Sequence, residues 1–301
     1  TDETGRLRNG DLPDEERIPL IEKFRKMYET MDFYVLYNRF LKKEGYQTLP
    51  RRPLEKRKLR YEDVYPVLYL KYRLSRQAER SNIKHLVIDE MQDYSRLQYL
   101  IIRRMFSCKM TILGDRAQTM ADQQQDVLQF LPGIFGKDLR RIEMRKSYRN
   151  TVEIASYAAN LIGVTDLELF ERHGMPVLER DVTDLEAALR EAVDTLFPDE
   201  KTYETAAVIV PDEKTAERAY LILREILAEK DFDCEKRLSW LNRDSSSFKK
   251  GLTVTTFYLA KGLEFDQVFS IFPKDEKREM MMQAQYIAAT RALHELRVYH
   301  I

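Results

Sequence analysis

The chain has 301 residues, enough to bury a sizeable core and to hold two domains. Its 50 basic residues are matched by 50 acidic ones, so no global positive field advertises nucleic acid as a partner. No apolar run approaches the ~20 residues that cross a bilayer, and Cys108 and Cys234 lack metal-type or redox-type spacing, which makes a reducing cytoplasm the expected location.

Between residues 14 and 44, Ile18, Ile21, Phe24, Met27, Tyr28 and Met31 recur near helical spacing, and Gly45 supplies a stop. Residues 51–60 carry six basic side chains against one acid, a run that reads more readily as a solvated linker than as a phosphate-binding patch. Residues 64–74, rich in Tyr and Leu, predict a further packed helix. From Ile83 the pattern changes. Short apolar runs at 83–88 and 110–113 flank a helical stretch at 95–106, the alternation of an α/β unit with a parallel sheet. After Pro132 and Gly133 a boundary is expected before residues 143–150. Strands are then predicted at 206–210, 252–256 and 267–272, with a helix starting at Asp212. A helix over 283–294 and a strand over 296–300 close the chain.

Four segments carry residues suited to chemistry. The strand at 83–88 delivers Asp89 and Glu90 at its tip, and Gln92 and Asp93 follow. In phosphoryl transfer one carboxylate holds Mg²⁺ and another orients water, and adjacent residues at a strand end can divide these tasks. Solvated acids capping a strand are the plainer reading, and the downstream Gly114-Asp115-x-x-Gln118 tilts the balance toward function. At residues 146–151, Arg149 can reach a terminal phosphate and Tyr148 can stack on a base; alternatively this is a helix start with Asn150 or Thr151 as cap. At residues 253–266, Thr255 and Thr256 end a strand, where hydroxyls can bond a nucleic-acid phosphate. Gly262 then permits a close backbone approach, and Glu264 can accept from a ribose hydroxyl. Finally Arg291 lies on the helix predicted at the C-terminal end, either as a second phosphate-reaching cation or as a salt-bridged helix arginine.

In this order the segments resemble superfamily 1 helicases of the UvrD/Rep type, through Asp89-Glu90-x-Gln92-Asp93, Gly114-Asp115-x-x-Gln118, Tyr148-Arg149, Ala260-Lys-Gly-Leu-Glu264 with Asp266, and Thr290-Arg291-Ala292. The runs at 59–64 and 85–90 look most like the HelD/helicase IV-like branch, whose members bind RNA polymerase and use ATP to release it from nucleic acid. The resemblance implies an α/β fold of two RecA-like P-loop NTPase-type domains with parallel sheets. A helical segment over residues 1–80 would precede the rear of the first domain, 81–142, and the second domain, 143–301. It implies ATP and Mg²⁺ as cofactors, with Asp89 on the metal and Glu90 activating water. Gln118, Arg149 and Arg291 would contact the γ-phosphate, Tyr148 would stack on adenine, and Glu264 would bond the ribose.

Two departures qualify that picture. No Gly-x-x-x-x-Gly-Lys-Ser/Thr loop is present; the nearest imitation, residues 133–138, has its glycines too close and an acid in place of the hydroxyl. With Thr1 in place of a starting Met, the expectation is a C-terminal fragment of a larger motor, inactive alone, whose partners include the upstream half of its own first domain. Secondly, residues 119–126 hold no aromatic side chain to stack on a tracked single strand, and the lone Trp240 reads as a packing residue. The expected partner is therefore single-stranded DNA, RNA polymerase, or both.

Overall fold

Asp32 divides what the spacing suggested was one helical stretch. Its side chain accepts from the backbone N–H of Tyr34 and Val35 at 3.0 and 3.4 Å, starting a new helix there. The computed structural model describes residues 13–27, 30, 32–74, 82–115, 118, 126–136, 139–166, 168–197, 203–230, 233–245, 250–274 and 279–301. They fall into two compact units. One lies within Thr1–Asp89, Tyr94–Leu113 and Val127–Leu139; the other lies within Glu90–Asp93, Gly114–Asp126 and Arg140–Ile301.

The first unit begins with α1 (Asp14–Met27), α2 (Phe33–Lys43) and α3 (Tyr61–Leu74). Tyr34, Tyr37 and Leu41 recur on one face of α2 and bury with Leu49. Asn38 holds the returning chain by bonding both backbone groups of Leu49, at 2.6 and 3.2 Å. Tyr37 donates to Asp63 at 2.9 Å; burial, with that carboxylate beside it, pushes the phenol up to about 12. The basic run does not behave wholly as a solvated linker. Arg57 pairs with Asp32 at 2.7 Å and lies 4.7 Å over the Tyr34 ring, so a cation and a ring pin the segment to α2.

The α/β part of this unit follows as β1 (His85–Ile88), α4 (Arg96–Met105), β2 (Lys109–Ile112) and α5 (Val127–Phe135). Strands β1 and β2 pair in parallel, His85 opposite Lys109 and Ile88 opposite Ile112, as the alternation predicts. Ser95 and Gln98 form a capping box that starts α4. Tyr99 of α4 is fully buried, with the rings of Phe130 and Phe135 at 5.9 and 6.2 Å. Helix α5 runs through Pro132, at the loss of one backbone donor, and Gly136 follows with φ 78°.

The second unit contains β3 (Lys146–Ser147), α6 (Val152–Leu161), β4 (Glu168–Leu169), β5 (Leu178–Asp181), α7 (Leu185–Asp194), β6 (Thr205–Val210), α8 (Glu213–Ala228) and α9 (Cys234–Arg237). It continues with β7 (Leu238–Trp240), β8 (Gly251–Thr256), β9 (Phe265–Phe272), α10 (Glu279–Ala289) and β10 (Ala292–His300). A parallel sheet has the order β5-β10-β9-β6-β8-β7, and β3 and β4 form a separate parallel pair. Alternation along β6 shows how the sheet is sandwiched. Ala206, Val208 and Val210 join the cluster containing Leu189 of α7 and Leu223 of α8, whereas Ala207 and Ile209 join that of Ile154 of α6 and Ile287 of α10. Asp184, Asp212 and Thr151 cap α7, α8 and α6, each accepting a backbone N–H of the first turn.

The fold class is thus the expected one, α/β with parallel sheets, while local boundaries move. The helix expected over 283–294 stops at Ala289, because Ala292 already pairs with Phe265 as β10 begins. Arg291 consequently sits in the turn after the helix. No helix among the described residues is long and apolar enough to cross a membrane.

Candidate functional site

The acid-bearing turn follows β1 directly. Asp89 is exposed, and Glu90 takes φ 52°, a left-handed conformation uncommon for a side chain with Cβ and one that clusters at functional sites. Gln92, 6% exposed, braces the turn: its amide donates to Glu90 Oε2 at 2.5 Å, and its carbonyl accepts from Asp115 N–H at 3.1 Å. Gly114 is required by packing. A Cβ there would lie 2.5 Å from Gln92 Oε1 and 2.6 Å from Met91 N, with Met91 Cγ nearer still. Lys261, its side chain 11% exposed, makes an ion pair with Asp93.

A cleft of about 730 Å³ lies in the second unit, within the range of small-molecule sites. Its lining includes Gln118, Tyr148, Arg149, Glu264, Tyr286 and Arg291, which come from well-separated stretches of the chain. Tyr148 is 61% exposed, with Phe170 at 5.7 Å and the Lys146 ammonium 5.4 Å from its ring. Arg149 pairs with Glu264 at 2.7 Å, each about half in solvent. Arg291 is 2% exposed; Nε donates to Ile287 O at 3.2 Å, and the guanidinium also reaches Leu263 O and Thr290 Oγ1. Burial, and then the Arg149 charge, push Arg291 below the ordinary arginine value, and the carboxylates of Glu90 and Glu264 partly restore it. An arginine so placed remains a cation, held by three acceptors in a fixed direction.

Sequence reasoning missed the residues that hold these groups. Asn150 is not the cap of α6; Thr151 is, accepting from Ile154 N–H at 3.4 Å. Asn150 instead donates to Thr290 O at 3.2 Å and Ala292 O at 2.7 Å, bracketing Arg291 from 140 residues away. Arg172 donates to Leu293 O at 2.7 Å and also to Arg149 O, so it ties the two arginine-bearing segments together. Neither residue had a local signal beyond its polarity. Asp266, matched as part of the third motif, accepts from Glu204 N–H, Thr205 N–H and the Thr205 hydroxyl, and so fixes the start of β6.

Other expected site residues lie apart from the cleft lining. Gly262 has φ 81° with nothing within 4 Å of an added Cβ, so its need for glycine is conformational. Thr255 and Thr256 are buried, at 0% and 1% exposure, and the Thr255 hydroxyl is within 3.2 Å of Leu241 O. A hydroxyl with no exposed surface presents nothing to a phosphate. Of the stretch 119–126, read for its lack of aromatics, residues 119–125 lie outside the described residues. Among the described residues no cluster of three or more His, Cys, Asp or Glu could hold a metal by itself.

Residues 7–120 match the UvrD/REP helicase N-terminal domain. That span, somewhat over a third of the chain, contains both acid-bearing loops and supports a helicase-type function. Among solved structures, the C-terminal domain of a possible DNA helicase from Lactobacillus plantarum WCFS1 is similar, at 24% identity and TM-score 0.40, over 52% of this chain and 88% of that one. The PRRSV helicase is similar at 17% identity and TM-score 0.42, over 74% of this chain and 36% of its own. Arterivirus nonstructural protein 10, a helicase solved with DNA, is similar at 14% identity and TM-score 0.41, over 74% of this chain and 41% of its own. The chain therefore spans well under half of each viral helicase chain. No curated protein sequence matches it.

Proposed function

We propose that the chain is the rear part of an ATP-dependent superfamily 1 DNA helicase or translocase of the HelD/helicase IV-like branch, cytoplasmic, completed by a phosphate loop outside this sequence. The observation that carries the reading is the cleft itself. Two arginines, an exposed tyrosine ring, a carboxylate and a buried glutamine from four motif segments line one cavity of about 730 Å³. Tyr148 offers an open face to adenine, Glu264 an acceptor to the ribose, and Arg149 and Arg291 positive charge to the phosphates. Gln118, which also lines the cleft, would face the γ-phosphate and the attacking water. Asp89 is an exposed carboxylate of the kind that, with phosphate oxygens and water, completes the shell of Mg²⁺. Glu90 would activate the water. Bound ATP with Mg²⁺ would supply the transferable phosphoryl group.

A specific observation favours a second reading, in which the parent docks on RNA polymerase and ATP acts as a release switch. The burial of Thr255 and Thr256 removes two contacts that a strand-tracking enzyme would use. Single-stranded DNA binding that weakens steeply with salt supports the translocase, and salt-tolerant retention on purified RNA polymerase supports the switch.

The test of the shared chemistry is ATP hydrolysis by the protein that includes the phosphate loop. Arg291→Ala should lower turnover by ~10³ or more, the effect typical of a phosphate-reaching arginine. Glu90→Gln should abolish it, and the 301-residue chain alone should show none. Wild-type turnover in Glu90→Gln would sink the reading.

A further inference from the structure

The roles above leave Tyr286, Asp115 and Gln92 unused, although hydrogen bonds join them into one path. Tyr286 lies on α10, five residues before Arg291. Its hydroxyl donates to Asp115 Oδ2 at 3.1 Å, and the same oxygen accepts from Gln118 Nε2 at 2.9 Å. On the other side, the Asp115 N–H donates to Gln92 Oε1 at 3.1 Å and Gln92 Nε2 donates to Glu90 Oε2 at 2.5 Å. Gln92 and Gln118 are 6% and 8% exposed, so both bonds to Asp115 are sheltered from competing water.

The proton directions are fixed by the chemistry of the partners. An ionised carboxylate only accepts, so Gln118 must turn its NH₂ toward Asp115. Its Oε1 is then a buried acceptor with no donor among the described residues. Such an atom needs a ligand with a proton to give. Water has one, whereas an ionised phosphate oxygen does not. Burial, and then the Asp115 charge, push the Tyr286 phenol well above the ordinary tyrosine range, so its hydroxyl remains a donor at neutral pH.

We propose that Tyr286 is a positioning residue: by holding Asp115 it fixes the amide of Gln118 with Oε1 kept for the attacking water, and steadies Glu90 through Gln92. The inference rests on the ATPase reading above and assigns a new residue to it. A packing role is the competing account, since the ring adjoins the core of Ile154 and Ile287. Packing depends on the ring, and positioning depends on the hydroxyl.

Tyr286→Phe separates the two. In ATP hydrolysis by the protein that includes the phosphate loop, kcat should fall roughly tenfold, the size of one hydrogen bond lost in the transition state, with KM for ATP within about twofold. The double variant with Asp115→Ala should be no slower than Asp115→Ala alone, because both changes remove the same bond. In this chain by itself, Tyr286→Phe should speed amide exchange at Asp115 while leaving β9 protected. Wild-type kcat in Tyr286→Phe beside an inactive Glu90→Gln overturns the proposal and leaves the ATPase reading standing. Unchanged exchange at Asp115 overturns it too. Full activity in Glu90→Gln would remove both.

Discussion

The six-stranded sheet and the β1–β2 pair both use parallel strands and differ in what covers them. In the six-stranded sheet, β6 is buried from Ala206 to Val210 on both faces, by α7 and α8 on one side and α6 and α10 on the other. In the two-stranded sheet, Val87 of β1 is 59% exposed and Leu113, just after β2, is 46% exposed. Parallel pairing is stable chiefly where both faces are covered, because its strands are apolar throughout. One sheet therefore holds itself, and the other serves mainly to deliver two loops. Its strand tips, Glu90–Asp93 and Gly114–Asp126, group with the second unit.

The comparison can be broken by truncating each sheet. Phe269 of β9 is fully buried, and Phe269→Ala should cost ~3–5 kcal/mol of stability in denaturant unfolding. A cost below ~1 kcal/mol would mean that this sheet is not the stable core. The turn at Gly114 is expected to be next in sensitivity. Gly114→Ala drives a methyl into Met91 and Gln92, so it should cost roughly 1–3 kcal/mol of stability in denaturant unfolding. A silent Gly114→Ala would show that the loops have room to move. The smallest change is expected at Val87, where Val87→Thr should stay within ~0.5 kcal/mol because the side chain is already in water.

A pH measurement sharpens the same contrast within the second unit. The bond from His173, then the Gly174 N–H, lower the Glu153 carboxyl from 4.5 to about 2. A depressed carboxylate contributes stability above its unfolded value, and that contribution is lost as pH falls through the folded one. Acid titration should therefore show wild type losing its advantage over Glu153→Gln between pH 4.5 and about 2, with the curves meeting below. A constant offset across that window would remove Glu153 from the account of acid stability.

Much of this was legible because the information is local. The apolar runs at 206–210 and 252–256 are covered on both faces, so they contain nothing but strand signal, and Asp212 is a cap written into the sequence. The acids of Asp89-Glu90 and the arginines Arg149 and Arg291 could be read from motif spacing. Short strands such as β3, β4 and β7 could not, because two or three residues carry no period. Asn150, Arg172 and Tyr286 escaped for another reason: their partners lie 23 to 171 residues away, and only the folded sheet brings them together. Thr255 and Thr256 show the reverse error. A motif match suggested availability, and burial is a property of neighbours that no motif contains.

The pair between Arg149 and Glu264 differs in strength from the contacts that hold Arg291. Both side chains are about half in solvent, where such a contact contributes only about 0–1 kcal/mol. Glu264 therefore restrains the Arg149 guanidinium only weakly, whereas Arg291, buried and bonded to the carbonyls of Ile287 and Leu263, is held in one direction.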